Sequence, residues 1–192
     1  MTINTIPKVL YKNKITEILD EIRDSYGILT RKGYIYGLIT IDQDAKVIAI
    51  DSRFDRQLNY WDLSSIGAAL YGVSRQGQDF FEASDLERAS IIYNNLQLFV
   101  RSIGEVKVPG RKGQKGQGKR RKREVLIVVL AERAVNIGVM ILQMNRFAVK
   151  MKAEIEKSGL IQETLNMSEA ELKVHINKLK KEIFSDKIGS IS

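Results

Sequence analysis

The sequence predicts an α+β protein, a three-layer α/β/α sandwich whose five-stranded, mainly antiparallel sheet carries two helices on one face and one on the other. Three observations point there. The elements run helix, strand, strand, helix, strand, strand, strand, helix, and most successive strands are joined by turns too short for the crossovers of a parallel sheet. The run Val125 to Leu130 is apolar without interruption, as a central strand covered on both faces must be. The chain has 192 residues, 44 % of them hydrophobic, which is enough to build such a core without disulfide or metal staples.

Asn13 opens the first helix, whose apolar positions Ile15, Ile18, Leu19 and Ile22 share one face, and Gly27 offers a left-handed stop after Tyr26. Tyr34 to Ile41 and Lys46 to Ile50 are rich in β-branched and aromatic residues. Asp42-Gln43-Asp44 supplies turn chemistry between them, so the pair forms a hairpin. A helix capped near Asn59 to Asp62 follows, with Leu63, Ile66, Ala69, Leu70 and Val73 on one stripe, while Gly67, Ala68 and Gly72 leave the neighbouring face almost bare. Each helical glycine costs about 1 kcal/mol relative to Ala, a cost that close approach of another helix would offset.

Ala89 to Phe99 reads as two short strands about an Asn94-Asn95 turn. After the fifth strand comes a long helix from about Ala134 to Lys157, with Ile137, Ile141, Met144, Ala148, Met151 and Ile155 on one stripe and Met140 and Phe147 widening it. Beyond Ser158-Gly159 a polar stretch leads to Ser168, where Glu171 completes a capping box and Met167 with Leu172 a hydrophobic staple. Leu172, Ile176, Leu179 and Ile183 form the narrow stripe of this last helix. Its Lys173, Lys178, Lys180, Lys181 and Lys187 leave three placements open: on its own domain, against another helix, or on an anionic surface.

The segment Ala89 to Phe99 contains no charged residue, so at a free sheet edge either strand would template aggregation. Two arrangements remove the hazard. The strand adds to its own copy across a two-fold axis while the small-residue helices pack across the same axis, or the C-terminal helix covers the edge. The first arrangement places Ser65, Ile66, Ala69, Leu70, Val73, Ala89, Ser90, Ile91, Ile92 and Tyr93 in a dimer interface.

The net charge of +8 comes from one segment. Lys107, Arg111, Lys112, Lys115, Lys119, Arg120, Arg121, Lys122 and Arg123 are nine cations with no acid among them, and subtracting them leaves −1 for the rest. An acidic partner is therefore to be sought at 105–123, read as a flexible hairpin insertion between the fourth and fifth strands. An acidic protein patch, a membrane surface and a nucleic acid all suit it. The block has no aromatic to stack bases, so nucleic acid binding through it would be sequence-blind and salt-sensitive. Nor does it have an apolar anchor for a membrane. Gly113 to Lys119 matches the spacing of a phosphate-binding loop up to the lysine. However, Arg120 stands where a Mg²⁺-binding Ser or Thr belongs and a strand follows in place of a helix N-terminus, so no nucleotide site is expected.

The absence of Cys removes disulfides, thiolate nucleophiles and Cys-based zinc sites, and suits a reducing cytosol. No stretch approaches the roughly 20 apolar residues of a membrane span, and the first residues lack the apolar core of a signal peptide, so the reading is a soluble, cytoplasmic chain. His175, the single histidine, sits beside the stripe of the last helix, where a surface or packing role outweighs a catalytic one. Asp42, Asp44, Asp51 and Asp55 fall at turns and strand ends. Asp79, Glu82, Asp85 and Glu87 surround Phe80-Phe81, and Trp61, Phe80 and Phe81 would form a docking patch if left uncovered. No catalytic residue, metal ligand or cofactor is expected.

This order of elements resembles the Roadblock/dynein light chain family. So do the strand Leu126 to Leu130 leading into Val135-Asn136-Ile137-Gly138, and the helix containing Ile66-Gly67-Ala68-Ala69-Leu70. The resemblance runs from about Lys12 to Lys157. It divides the chain into an N-terminal extension (1–11), a Roadblock-like domain (12–157) and a C-terminal helical extension (158–192). The basic insertion and the C-terminal extension depart from the family pattern. The resemblance implies a small non-enzymatic scaffold that dimerises, with itself or another Roadblock-like chain, through the third strand and central helix, and that binds or regulates a small Ras-like GTPase. The competing expectation is a module that binds nucleic acid or an anionic membrane surface through its basic loop.

Overall fold

The computed structural model describes residues 11–81, 86–109, 121–168 and 170–178. In chain order the elements are α1 (Lys14–Leu29), β1 (Ile35–Asp42), β2 (Val47–Ile50), α2 (Tyr60–Phe81), β3 (Arg88–Ile92), β4 (Leu96–Val108), β5 (Arg121–Glu132), α3 (Ile137–Lys157) and α4 (Gly159–Asn166), with a further helix at 170–178. The five strands form one antiparallel sheet in the order β2-β1-β5-β4-β3. The predicted class and layering hold. α1 and α3 bury Ile15, Ile18, Ile22, Met140, Met144 and Ile155 against Phe99, Ile127 and Val129, while α2 covers Ile39, Leu98, Val100, Leu126 and Val128 on the opposite face. Alternate residues of β5 therefore feed two cores, each buried aliphatic contributing about 1.5–3 kcal/mol.

Asn13 caps α1 as expected, its Oδ1 accepting from the Ile15 amide at 2.9 Å, and its Nδ2 also donates to the Ile48 carbonyl of β2 at 2.8 Å. Gly27 is not the stop. The helix runs on to Leu29 because the end is set by tertiary bonds: the buried Tyr26 hydroxyl donates to the Lys32 carbonyl at 2.8 Å and accepts from the Asn136 amide at 2.9 Å. The left-handed turn falls instead at Gly33, φ +77°. Asp51 is buried at the end of β2, where it accepts from the Leu38 amide at 2.7 Å and pairs with Arg23 at 2.7 Å. Burial lifts its carboxyl above the usual range, and the Arg23 guanidinium opposes that shift.

Two expectations fail in an informative way. The basic insertion is not a solvated loop throughout: β4 and β5 stay paired out to Lys107↔Lys122 and Val108↔Arg121, and Val106 and Val108 are fully buried. The stretch after Ser158 is also not merely polar, because Ser158 caps α4, which buries Ile161 and Leu165 in the same cluster as Val106 and Val108. The hairpin stem and the C-terminal extension thus brace each other.

Of the three placements open to the last helix, its described part takes the first, packing Leu172 and Ile176 with Tyr11, Tyr60 and Trp61 beside the β1–β2 turn. That position is on the β2 side of the sheet and away from the β3 edge it was offered to cover. Leu179, Lys180, Lys181, Ile183 and Lys187 lie outside the described residues. Ser168 and Glu171 form the expected capping box.

Lys46 pins this extension, donating from a nearly buried Nζ to the carbonyls of Leu165 at 2.9 Å and Met167 at 2.6 Å, where the α4 dipole is negative. Lys46→Met keeps the aliphatic stem and removes both charged bonds, so we expect a loss of about 1.5–3 kcal/mol. Limited proteolysis should then cut near 158–168 well before the sheet. Unchanged cleavage there would show that the extension does not depend on this lysine.

Candidate interaction surface

α2 approaches the sheet closely because Gly67 has no side chain: a Cβ there would lie 2.5 Å from Val128 Cγ2. The glycine thus admits a strand of its own sheet and not another helix. Its neighbours decide which way the helix faces. Leu63, Ser64, Gly67, Ala68 and Tyr71 form the buried face, so the predicted stripe of Leu63, Ile66, Ala69, Leu70 and Val73 is split. Leu63 belongs to the core and Leu70 packs against it half-buried, while Ser65, Ile66, Ala69 and Val73 are exposed. Sequence periodicity missed this because the deepest contact is made by the residue with no hydrophobicity to count.

The exposed face continues past the predicted residues. Ile66, Val73 and Phe80, 47 %, 69 % and 84 % exposed, recur every seven positions and line up along α2 with Ala69 and Gly77 between them. Phe81 is 80 % exposed beside them. Trp61 is not part of this patch. It lies in the first turn, edge-on to Tyr11 and tilted against Tyr60, roughly 30 Å along the helix axis from Phe80.

A polar network fixes the rotation of α2. Glu124 on β5 accepts from the Tyr71 hydroxyl at 2.8 Å and the Ser102 hydroxyl at 2.8 Å, and pairs with Arg75. Burial, aided by the carboxylate, pushes the Tyr71 hydroxyl up to about 12. No pattern in the sequence marked Glu124, since its partners come from α2 and β4.

β3 is the second component. It pairs only with β4, with Ile91 opposite Leu98 and Ile92 opposite Gln97, so its other edge is open among the described residues. Ser90, Ile92 and Tyr93 are exposed, Ile91 is half-buried and Ala89 is buried. The hairpin's charge-free character stops short of its first residue: β3 begins at Arg88, one position after Glu87, which pairs with Arg101 at 2.8 Å. The opposite sheet edge is closed. All four residues of β2 are buried, Asn13 occupies the Ile48 carbonyl, and α4 ends beside it through Lys46.

Of the nine loop cations, Arg111, Lys112, Lys115, Lys119 and Arg120 lie outside the described residues, as does the Gly113 to Lys119 spacing. The other four are strand residues. Lys122 pairs with Glu105 at 2.7 Å, and Arg123 is mostly buried between Asp42, at 3.2 Å, and Asp44. Lys107 and Arg121 are exposed, and the Lys107 amide donates to Glu156 at 3.0 Å. The aspartates do the backbone work read from the sequence: Asp42 Oδ1 accepts from the amides of Asp44 and Lys46 at 2.9 Å, and Asp55 from that of Gln57 at 2.8 Å. Burial raises the Asp42 carboxyl. Among the described residues no helix is long and apolar enough to cross a membrane.

No protein-family model matches the sequence, and no curated protein matches it. Solved structures do. A Roadblock/LC7 domain from Streptomyces avermitilis superposes with a TM-score of 0.55 at 14 % identity, over 74 % of this chain and 98 % of its own. MglB of Myxococcus xanthus gives 0.53 at 12 % identity, over 76 % and 98 %, and the gliding protein MglB of Thermus thermophilus 0.52 at 14 %, over 74 % and 94 %. Another similar structure, at 0.52 and 15 % identity over 76 % and 93 %, is of MglB with a tetrameric arrangement. With the sheet order, the two helical layers and these superpositions in agreement, the chain carries a Roadblock-like domain by fold.

Proposed function

We propose that this chain is a non-enzymatic dimerisation scaffold that binds or regulates a small Ras-like GTPase. The observation that carries the reading is an open edge strand, β3, beside an exposed apolar stripe on α2, in a sheet whose other edge is closed. A second copy, or another chain of the same fold, pairs along β3 and meets α2 with α2, which covers Ile66, Val73 and Ile92 at once. The tetrameric arrangement of the MglB neighbour supports self-association as a habit of the fold. The GTPase role rests on the family resemblance. Its effect on nucleotide turnover would come from ordering the GTPase's own switch loops, in the cytoplasm, with residues 12–157 as the module and the C-terminal extension as its brace.

The test is the solution mass of the wild type beside Val73→Glu with Ile92→Lys, two exposed positions whose substitution leaves the core intact. We expect a wild-type dimer and a folded monomeric variant; a monomeric wild type overturns the interface. Beads carrying the dimer should then retain a small GTPase whose guanine nucleotide is recovered on elution, and beads carrying the monomer should not. An eluate free of guanine nucleotide overturns the partner. Replacing 111–120 with a short Gly-Ser turn should leave both results unchanged. Removing all of 107–123 would not be a clean test, because it cuts away the buried Val108 and the paired ends of β4 and β5.

A further inference from the structure

The connection from α1 to β1 places an apolar pair, two cations and an aromatic within seven residues, Ile28-Leu29-Thr30-Arg31-Lys32-Gly33-Tyr34. Ile28 is 84 % exposed, Leu29 62 % and Tyr34 51 %, and Arg31 and Lys32 are exposed between them. Backbone pairing brings a third cation alongside. The Glu132 amide donates to the Tyr34 carbonyl at 2.8 Å and the Arg133 amide to the Asn95 carbonyl at 3.1 Å, so the turn that launches α3 lies beside this connection with Arg133 exposed on it. Ile28, Arg31 and Tyr34 line one depression of about 560 Å³, which puts apolar and basic side chains on one surface. The charges there are unequally settled. Asp24 pairs with Arg53 at 2.7 Å and Glu132 accepts from the Tyr34 amide at 2.9 Å, whereas the side chains of Arg31, Lys32 and Arg133 have no partner among the described residues.

An exposed aliphatic pair beside unpaired cations is what an anionic bilayer accepts: the apolar side chains pass between headgroups, a tyrosine rests at their level, and Arg and Lys meet the phosphates. The basic segment 107–123 lacks such an apolar anchor. Here anchor and cations occur together, at the other end of the sheet, since β1 begins and β5 ends at this connection while the hairpin stem runs out to Val108 and Arg121. A folded partner would have less to grip. These residues lie where strands end, so no strand edge is offered to another backbone, and a bilayer requires no complementary shape around two exposed aliphatics. We propose that this tip docks the protein on an anionic membrane surface, with Ile28 and Leu29 inserted among the headgroups and Arg31, Lys32 and Arg133 on lipid phosphates. The tip uses none of the residues of the β3–α2 surface and does not depend on the scaffold reading.

The full chain is sedimented with vesicles of phosphatidylcholine alone or mixed with phosphatidylserine, at about 50 and 300 mM salt. The expected result is binding to the mixed vesicles, about ten-fold or more tighter than to phosphatidylcholine alone and weaker at the higher salt. Arg31→Ala with Lys32→Ala should weaken it roughly 25-fold at the lower salt, about five-fold per cation, and less at the higher. Ile28→Ser with Leu29→Ser, at two exposed positions, should weaken it about ten-fold or more at both salts. Both effects should persist when 111–120 is replaced with a short Gly-Ser turn, which separates the tip from the basic segment. Because the chain has no Cys, Leu29→Cys takes a single nitrobenzoxadiazole label, whose emission should brighten and shift to the blue on the mixed vesicles. Circular dichroism melts establish that the variants fold. The proposal is overturned if the wild type binds neither vesicle, if the tip substitutions leave binding unchanged, or if the label stays in water while the protein sediments. It is equally overturned if polyglutamate and not vesicles shifts the label, which would assign the tip to an acidic protein segment.

Discussion

Arg23→Met should destabilise the protein by about 3–5 kcal/mol, the cost of leaving one buried partner of an ion pair uncompensated. For a chain of this size that corresponds to a fall in Tm of roughly 6–20 °C. Asp51 has a fully buried side chain and Arg23 one only 10 % exposed, so water cannot take the place of the lost guanidinium. Arg23 also donates to the Ile35 carbonyl at 2.6 Å, which adds an orphaned acceptor. Adding Asp51→Leu should not restore wild-type stability, because the Leu38 amide then loses its acceptor. The pH dependence provides a second check. Burial already raises the folded carboxyl, and removing Arg23 raises it further, so the single variant's deficit is present at neutral pH. It should shrink as pH falls through the variant's raised folded value towards the wild type's, leaving the pH-independent part that comes from the orphaned Ile35 carbonyl. A deficit independent of pH would mean that Asp51 is not the group left stranded.

Gly33→Ala should be the other severe substitution, at about 2–5 kcal/mol. Roughly 1–2 of this comes from forcing an L-residue to a positive φ and about 1–3 from overpacking. At φ +77° a Cβ would sit 2.6 Å from the Val135 amide nitrogen and 2.9 Å from the Ala134 carbonyl carbon, both backbone atoms of the turn that launches α3. Gly27→Ala makes the contrast. Gly27 lies inside α1 with nothing within 4 Å of a Cβ, so the change should stabilise by about 0.5–1 kcal/mol. Urea unfolding of both variants decides where the left-handed residue is. Were Gly27→Ala the damaging one, α1 would end where its sequence suggested, after Tyr26.

That error shows how local signals fail. Gly27 carries the stop signature, yet α1 is carried past it by the Tyr26 hydroxyl, whose partners Lys32 and Asn136 come from two different turns. α4 escapes a reading of the sequence because its eight residues, with Gln162, Glu163 and Thr164 among them, hold only three apolar positions, of which Leu160 is exposed while Ile161 and Leu165 bury against Val106 and Val108 of a distant hairpin. The basic segment looked uncompensated because its counterions are remote in sequence: Arg123 meets Asp42 and Asp44 across the β1–β5 ladder.

What the sequence by itself determined is the five strands and every helix but α4, the antiparallel pairing and the two-sided burial of β5, because periodicity, capping and short turns act over a few residues. It also named Ile66, Ala69, Val73 and Ile92 as surface for a partner. Only the tertiary structure decided that they are free while Leu63 is not, and that β3 is the open edge and β2 the closed one. Each of these depends on how closely a backbone approaches another: α2 settles against β5 at Gly67, and α4 settles beside β2 through Lys46. Distances of that kind are set by the packing of the whole core and leave no period in the chain.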